Sequence, residues 1–465
     1  MSVSVDQLGV DLLVGVRPGS GRSLRAQVEE QLRAGVRSGT LHAGVDLPSS
    51  RALAAELGVS RGVVVEAYAQ LVAEGYLVTR RGAGTRVAAV APERPAWEGP
   101  RAGPAAPPVR FDFRVESGDL SAFPRRAWLA AERRALTRAP DAALGYGDRA
   151  GAAELRAALA AYLGRSRGVA AGPDRLLVAA GTMQSLGLVA GALRARGVAR
   201  VAVEHPGFPL HRVVLARAGL EVVEVAVDGG GLDVAALAAS SAGAALVTPA
   251  HQMPTGAVLA PERRAALLEW AAARDAFVLE DDYNGEFRYD REPVGALQGL
   301  APERVAYLGS ASKTLAPGLR LAWIVPPAEL LGPVREAKEW ADGGSPAIAQ
   351  LALADLIAGG ELDRHVRRMR AAYRRRRDLL VAALAAELPL ARVGGVAAGL
   401  HALATLPRGP RADAVLAAAW ADGVAVYGYD HGGATHLLLG FGSLPEPSIE
   451  PAVRALAAAW RRAAA

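Results

Sequence analysis

Residues Gly309–Val325 read Gly-Ser-Ala-Ser-Lys-Thr-Leu-Ala-Pro-Gly-Leu-Arg-Leu-Ala-Trp-Ile-Val, and the lysine at their centre decides how the rest of the chain is understood. Of the 53 basic residues in the 465-residue chain, two are lysine, Lys313 and Lys338, and the other 51 are arginine. Where a positive charge suffices, this chain uses arginine, so a surviving lysine raises the question of what an amine is needed for. An amine can lose its proton and condense with an aldehyde; a guanidinium cannot. Lys313 follows an apolar run, Val305–Gly309, expected to be a buried strand. It is flanked by Ser310 and Ser312, with Arg320 seven residues on. Two hydroxyls and an arginine beside an amine suit an aldehyde that carries a phosphate. The arginine grips the phosphate, the hydroxyls bond its remaining oxygens, and the amine forms the Schiff base. A lysine in a surface loop is the plain alternative that this stretch by itself leaves open.

On both sides, short apolar runs alternate with Ala/Leu/Arg-rich helical stretches. Leu176–Val178, Val201–Val203, Ala245–Val247, Phe277–Leu279 and Val305–Leu308 are the expected strands. From Phe111 onward this predicts an α/β domain with a mainly parallel sheet, whose ligands gather at the carboxyl ends of strands. Several of those ends carry polar groups. Gly181-Thr182-Met183-Gln184 enters a helix whose free amides form an anion site suited to a phosphate. Glu280-Asp281-Asp282-Tyr283 follows Phe277–Leu279. A carboxylate against a pyridine nitrogen keeps that nitrogen protonated, and a tyrosine hydroxyl can bond a phenolic oxygen on the same ring. Asp281 alone would pass as a helix cap or a surface ion pair. His251, in the polar turn Thr248–Gly256, is either a hydrogen-bonded turn residue or a ligand contact. Lys313, Arg320, Asp281, Tyr283 and the Gly181-Thr182 helix start together supply the parts needed to hold pyridoxal phosphate. From about Leu330 the pattern turns helical, with late strands at Gly423–Tyr427 and His436–Leu439, which suggests a smaller C-terminal part.

The N-terminal quarter follows a different plan. Ser23 is placed to cap a helix whose apolar residues Leu24, Val28, Leu32 and Val36 recur every four positions. Pro48 is placed to start a second helix, with Leu53 and Leu57 inward, ended by Gly58. Ser60 is placed to cap a third, with Val63, Ala67 and Leu71 inward. Tyr76–Thr79 and Thr85–Val87 then read as a β-hairpin around the basic, glycine-rich tip Arg80-Arg81-Gly82-Ala83-Gly84. Helix, tight turn, helix and hairpin make a winged helix. On DNA its third helix would present Ser60 and Arg61 to base edges, Ser49, Ser50 and Arg51 would hold phosphates, and the wing would lie against the backbone or in the minor groove. Residues 20–87 hold nine arginines and six acids, a modest excess concentrated where a DNA footprint belongs. Residues 88–110, with six prolines and no apolar periodicity, read as a semi-extended linker.

Composition sets the outer bounds. With no cysteine, the chain forms no disulfide, thiolate metal site or cysteine nucleophile. The net charge of +6 permits a polyanionic partner without requiring one. The N-terminus has no basic segment leading into an apolar core, and the uncharged run Leu176–Leu193 is interrupted by Gly181, Thr182, Gln184, Ser185 and Gly187, so the expected location is the cytoplasm.

Leu47–Ala54, Leu57–Arg61 and Arg80–Thr85 resemble the GntR-type winged-helix domain of bacterial transcription regulators. Gly62-Val63 departs from it, standing where that family usually carries a polar pair such as Asn-Thr. Ser310–Lys313 through Arg320, Pro254-Thr255-Gly256, Tyr146-Gly147 through Gly151, and Leu155-Arg156 resemble the fold-type-I aminotransferases. That resemblance implies Lys313 as the Schiff-base lysine, Asp281 on the pyridine nitrogen and Tyr283 on the phenolic oxygen. It places Arg320, Ser310, Ser312, Gly181, Thr182 and Met183 around the phosphate, and has Tyr146 reach the phosphate of a partner subunit. The two halves joined by a linker resemble the MocR-type regulators, to which Glu280–Tyr289 is particularly similar. The implied fold is a winged helix at 10–87, a linker at 88–110, and an α/β fold-type-I domain at 111–465. The last divides into a large part at about 111–329 and an α+β part at about 330–465. The implied protein is a head-to-tail homodimer that binds operator DNA and senses pyridoxal phosphate, with an amino acid as a further candidate effector. Such regulators control genes of vitamin B6 or amino-acid metabolism. One absence separates it from an enzyme: the late strand His436–Gly442 lacks the arginine that usually forks onto a substrate carboxylate. The alternative is a working aminotransferase with an autoregulatory DNA-binding domain.

Overall fold

The computed structural model describes residues 14–80, 84–89, 108–115, 117–289, 294–406 and 409–464. The chain divides into two compact units, Met1–Ala105 and Ala106–Ala465.

In the first unit, helix α1 (Leu24–Ser38) opens on Ser23, whose hydroxyl accepts from the Ala26 amide, and buries Val28, Leu32 and Val36. Leu24, the first of that apolar series, is half-buried. Helix α2 (Ser50–Leu57) does not start at Pro48. Ser49 takes the cap, accepting from the Ala52 amide at 3.2 Å. Pro48 stays outside, its carbonyl accepting from the Tyr68 hydroxyl at 2.9 Å. A side-chain oxygen that satisfies a first-turn amide fixes the helix start more firmly than a proline, which only removes one orphan donor. Helix α3 (Arg61–Ala73) begins after an extended Ser60 that makes no side-chain cap bond. Its buried face is Val64, Ala67, Tyr68 and Leu71, and Val63, expected inward, is half-buried. Strands β1 (Leu77–Arg80) and β2 (Gly84–Val87) pair antiparallel from Leu77↔Val87 to Arg80↔Gly84. Leu32, Leu53, Leu71 and Leu77 close the core of this unit.

The second unit begins with β3 (Phe111–Asp112), α4 (Arg125–Arg138) and α5 (Ala153–Arg167). Then come β4 (Leu177–Ala179), α6 (Thr182–Ala195), β5 (Arg200–His205), α7 (Pro209–Arg217), β6 (Glu221–Asp228), β7 (Gly231–Leu232) and α8 (Val234–Ala239). After these follow β8 (Ala244–Val247), α9 (Pro261–Ala273), β9 (Phe277–Asp282), β10 (Val305–Ser310) and β11 (Ala322–Val325). The eight-stranded sheet runs β4-β11-β10-β9-β8-β5-β6-β7. The pairings from β10 through β9, β8 and β5 to β6 are parallel, whereas β11 lies antiparallel between β10 and β4, and β7 antiparallel on the far edge. The sheet is therefore mixed. Every residue of β8, β9, β10 and β11 is buried, as a sheet covered on both faces requires.

The remaining chain forms α10 (Ala328–Asp342), α11 (Ala347–Ala358), α12 (Glu361–Glu387), β12 (Arg392–Gly394), β13 (His401–Leu406) and α13 (Ala412–Ala421). It ends with β14 (Val424–Ala425), β15 (Tyr427–His431), β16 (Ala434–Gly440) and α14 (Glu446–Ala464). Its antiparallel sheet is ordered β12-β13-β16-β15. The strand expected at Gly423–Tyr427 is split: β14 pairs with β3, and β15 starts a hairpin with β16. The arginine-rich stretch His365–Arg377 lies within α12, which buries His365, Val366, Met369, Tyr373 and Arg376. No helix among the described residues is long and apolar enough to cross a membrane.

Candidate functional site

Strands β4, β8, β9 and β10 end at one edge of the large sheet, and a cavity opens there. It is lined by Thr182, Met183, Thr248, Asp281, Tyr283, Ser310, Ser312, Lys313 and Arg320, with Val115, Phe208, His211, Met253 and Pro317 completing the wall. Nine of the ten residues expected around a cofactor meet here or, in the case of Gly181, cap the helix that enters it. Tyr146 does not line the cavity; it is 85% exposed, with the Arg149 guanidinium over its ring.

The acids of β9 are sorted by the alternation of a strand. Glu280 and Asp282 face away from the cavity. Glu280 accepts from the amides of Leu297 and Gln298, at 2.9 and 3.0 Å. Asp282 pairs with the buried Arg167 of α5 at 2.7 Å and accepts from the Tyr307 hydroxyl at 2.8 Å. Asp281, between them, faces the cavity. Its Oδ2 lies 3.0 Å from His211 Nε2, and its Oδ1 is buried without a partner. A buried acceptor with nothing to accept is costly, and a ring N–H of a ligand would satisfy it. Phe208 and His211 of the adjoining turn and helix stand edge to face, 5.2 Å between ring centroids.

The opposite end of the cavity is built for an anion. Arg320 has left-handed φ of 54°, and among the described non-glycine residues Asp275 alone shares a positive φ. Such conformations are strained and recur at ligand clamps. Gly181, at φ 137°, has no side chain, and a Cβ there would lie 2.6 Å from Arg320 Nη2. The guanidinium thus rests over the start of α6, where amides of the first turn are unmatched. Ser310 and Ser312 line the same cavity. The residues fit pyridoxal phosphate: an amine for the aldehyde, an orphaned carboxylate oxygen for the ring N–H, and a guanidinium with a helix start and hydroxyls for the phosphate.

Tyr283 donates to the His251 carbonyl at 2.9 Å, and burial, then the nearby Asp281 charge, hold its phenol well above the usual tyrosine range. His251 does not line the cavity; it is buried behind Tyr283, edge to face with His401 at 4.7 Å. Burial lowers both imidazoles, His401 to about 4, so neither adds a cation beside Lys313. The Lys313 amine lies 3.4 Å from the carbonyl of Val115. That segment is pinned further along, where the Tyr373 hydroxyl accepts from the Asp119 amide at 2.8 Å and Arg376 binds Asp119 at 2.6 Å.

Sequence reasoning missed Phe208, His211, Thr248, Met253, Val115 and Pro317 as wall residues. The rule applied to other strands would have found the first two. Val201–Val203 was expected to be a strand, and His205-Pro206-Gly207-Phe208 follows it.

On the first unit, Ser49, Arg51, Ser60, Arg61 and Gly84 are exposed, and Ser50 and Thr85 are half-buried. Ser49 spends its hydroxyl on the α2 cap, and Ser50 Oγ lies 3.4 Å from Arg61 Nε, which draws the starts of α2 and α3 together. Arg81 and Gly82, expected at the wing tip, lie outside the described residues, as does the Arg80 side chain.

A lysine-bearing cavity at the strand ends of a mixed α/β sheet, joined in one chain to a winged helix, defines the class. The chain belongs to the aminotransferase class I and II family, matched over residues 113–421, and carries a domain of the gntR family of bacterial regulatory proteins at residues 24–87. This two-part make-up is that of the MocR-type transcriptional regulators. The chain is 35% identical over 454 residues to the HTH-type pyridoxine biosynthesis transcriptional regulator PdxR of Corynebacterium glutamicum, covering 94% of this chain and 96% of the relative. It is 37% identical to the HTH-type transcriptional regulator TauR of Rhodobacter capsulatus, covering 79% and 81%. Among solved structures it resembles the α-aminoadipate aminotransferase LysN of Thermus thermophilus, complexed with N-(5'-phosphopyridoxyl)-L-leucine. That likeness has a TM-score of 0.69 and 27% identity, over 76% of this chain and 92% of that one.

Proposed function

We propose that this regulator binds pyridoxal phosphate at the Lys313 cavity and that occupancy of the cavity changes its affinity for operator DNA. The observation that carries the reading is a cavity whose lining suits the cofactor and which, among the described residues, offers one guanidinium. Among the described residues lining the cavity, the one arginine is Arg320, whose guanidinium lies beside Gly181 at the start of α6. Strand β16, Ala434-Thr-His-Leu-Leu-Leu-Gly440, carries none. A chain that grips the cofactor but not a substrate carboxylate is suited to sensing the cofactor itself, and the genes it controls are those of vitamin B6 or amino-acid metabolism. When bound, pyridoxal phosphate supplies an aldehyde for a lysine amine and an electron-withdrawing ring. The protein's own part is to hold the amine of Lys313 against that aldehyde, Asp281 against the ring N–H, and Arg320 against the phosphate.

A segment beside Lys313 leads back to the linker. Residues 108–115 lead from the linker into β3, which pairs with β14, and Val115 then passes over the Lys313 amine. A change at Lys313 therefore bears on the stretch of chain that continues to the winged helix. The shift this produces is bounded by the ligand's differential affinity for the two arrangements. Exposed apolar side chains at Leu129, Leu136, Leu144, Tyr146 and Trp340 support a homodimer.

Absorbance titration of the cofactor-loaded protein with a panel of amino acids and amines tests the regulator reading against turnover. The expected result is a visible band that no compound drives to the aminated cofactor. Catalytic cycling with any amino acid would overturn the reading in favour of an aminotransferase.

A further inference from the structure

The chain's second lysine has a place in the structure as particular as the first. Lys338, on α10, is fully buried. Its ammonium bonds Asp342 Oδ1 at 3.0 Å, Asp342 Oδ2 at 2.9 Å and Ser345 Oγ at 3.1 Å, so all three donors are used. Three acceptors converging on one point suit a compact ammonium and not the planar fork of a guanidinium. A chain that elsewhere writes arginine has kept lysine here. Burying an ion pair contributes little to stability, because desolvation cancels most of the attraction, which directs attention to what the pair holds in place.

Asp342 is the hub. It accepts from the Gly344 amide at 2.9 Å and from Gln184 Nε2 at 2.8 Å. Burial would raise its carboxyl, yet the bonds from Lys338, Gln184 and Gly344 hold it below the usual carboxylate range. Gln184 sits in the first turn of α6 and turns its Oε1 to the Ala180 amide at 2.6 Å. Ala180 and Gln184 therefore bracket Gly181, Thr182 and Met183, the start of the helix over which Arg320 lies. On its other side the hub fixes the turn after α10. Ser345 and Pro346 carbonyls there accept from Gln350, whose own oxygen accepts from the Ala152 amide at 2.7 Å.

We infer that Lys338 is a positioning residue for the phosphate end of the cavity. Through Asp342 and Gln184 it sets the position of the Gly181–Met183 amides against Arg320. This rests on the reading of that end as the phosphate cradle. The test compares pyridoxal phosphate with pyridoxal, which lacks the phosphate, on the full chain and on Lys338→Met and Gln184→Leu. Gln184→Leu breaks the same link from the helix side and leaves Lys338 paired, so it answers for the inference should Lys338→Met fail to fold. Binding is read by absorbance, the phosphate environment by the 31P shift of bound pyridoxal phosphate, and the fold by thermal melting without ligand. The expected result is affinity for pyridoxal phosphate weakened at least tenfold, with a moved 31P signal, while pyridoxal binds as before. Variants that keep both the wild-type preference and the wild-type 31P shift overturn the inference alone. A wild-type chain that takes pyridoxal as tightly as its phosphate ester overturns the cradle and the inference together.

Discussion

Lys313 is the residue on which the functional account turns, and its replacement is the most local test. Lys313→Ala is expected to abolish the visible absorption band of the bound cofactor. Because Lys338 is fully buried and engaged, borohydride treatment of the loaded wild type should trap the cofactor on the Lys313 peptide alone. Label spread over both lysine peptides would contradict this. His401 gives a second residue-scale prediction, with a definite sign. Its imidazole is held neutral to about pH 4 by burial, whereas an unfolded chain's histidine titrates near 6.5. Between those values the unfolded state binds the extra proton, so His401 costs stability as pH falls from about 6.5 to about 4 and nothing above that window. In His401→Leu that loss disappears. The stability of the variant relative to wild type should rise across the window by an amount on the order of 3 kcal/mol, measured by denaturant titration at pH 7 and pH 4.5. A difference that stays flat with pH would show that His401 titrates normally.

At the scale of elements, the start of α6 is sensitive to a single added atom. A Cβ at position 181 would meet Arg320 Nη2 at 2.6 Å, on a backbone whose φ of 137° L side chains rarely adopt. Gly181→Ala should displace the guanidinium and weaken pyridoxal phosphate binding roughly 10- to 100-fold, the loss of one charge-assisted contact of about 1.5–3 kcal/mol, measured by equilibrium titration. Unchanged affinity would remove Arg320 from the cradle. The elements legible in the sequence were those with a strong local signal. The buried parallel strands read as continuous apolar runs, and α1 kept a four-residue apolar spacing behind a serine cap. Strand β6 was not legible, because Glu221-Val-Val-Glu-Val-Ala-Val-Asp228 is half-exposed and mixes charges into its apolar pattern. Strand β11 was hidden inside the decisive stretch itself, where Ala322–Val325 is short and pairs antiparallel with both the nearby β10 and the distant β4. Pro48 misled because its own fixed φ suits a helix start, while the competing cap at Ser49 depends on a single hydroxyl. At the cavity, the polar residues at the ends of β4, β9 and β10 were legible; Thr248 beyond β8 and Phe208 and His211 beyond β5 follow the same rule but were not singled out, and Val115 is brought in by tertiary packing alone.

On the scale of the whole molecule, two units matched by different families share one chain, and the proposed function requires that one respond to the other. The winged helix presents Arg61 at the exposed start of α3. Arg61→Ala should weaken operator binding by about 1–3 kcal/mol if the guanidinium forks onto a base, measured by fluorescence anisotropy at fixed salt. Equal binding would place the recognition surface elsewhere. Coupling is the central claim. Its most direct test is the affinity of the full-length protein for DNA from its own promoter region, measured with and without saturating pyridoxal phosphate, in wild type and in Lys313→Ala. The account predicts an affinity that changes severalfold with the cofactor in wild type and does not change in the variant. A wild-type affinity indifferent to pyridoxal phosphate, in protein shown by absorbance to be loaded, would contradict it.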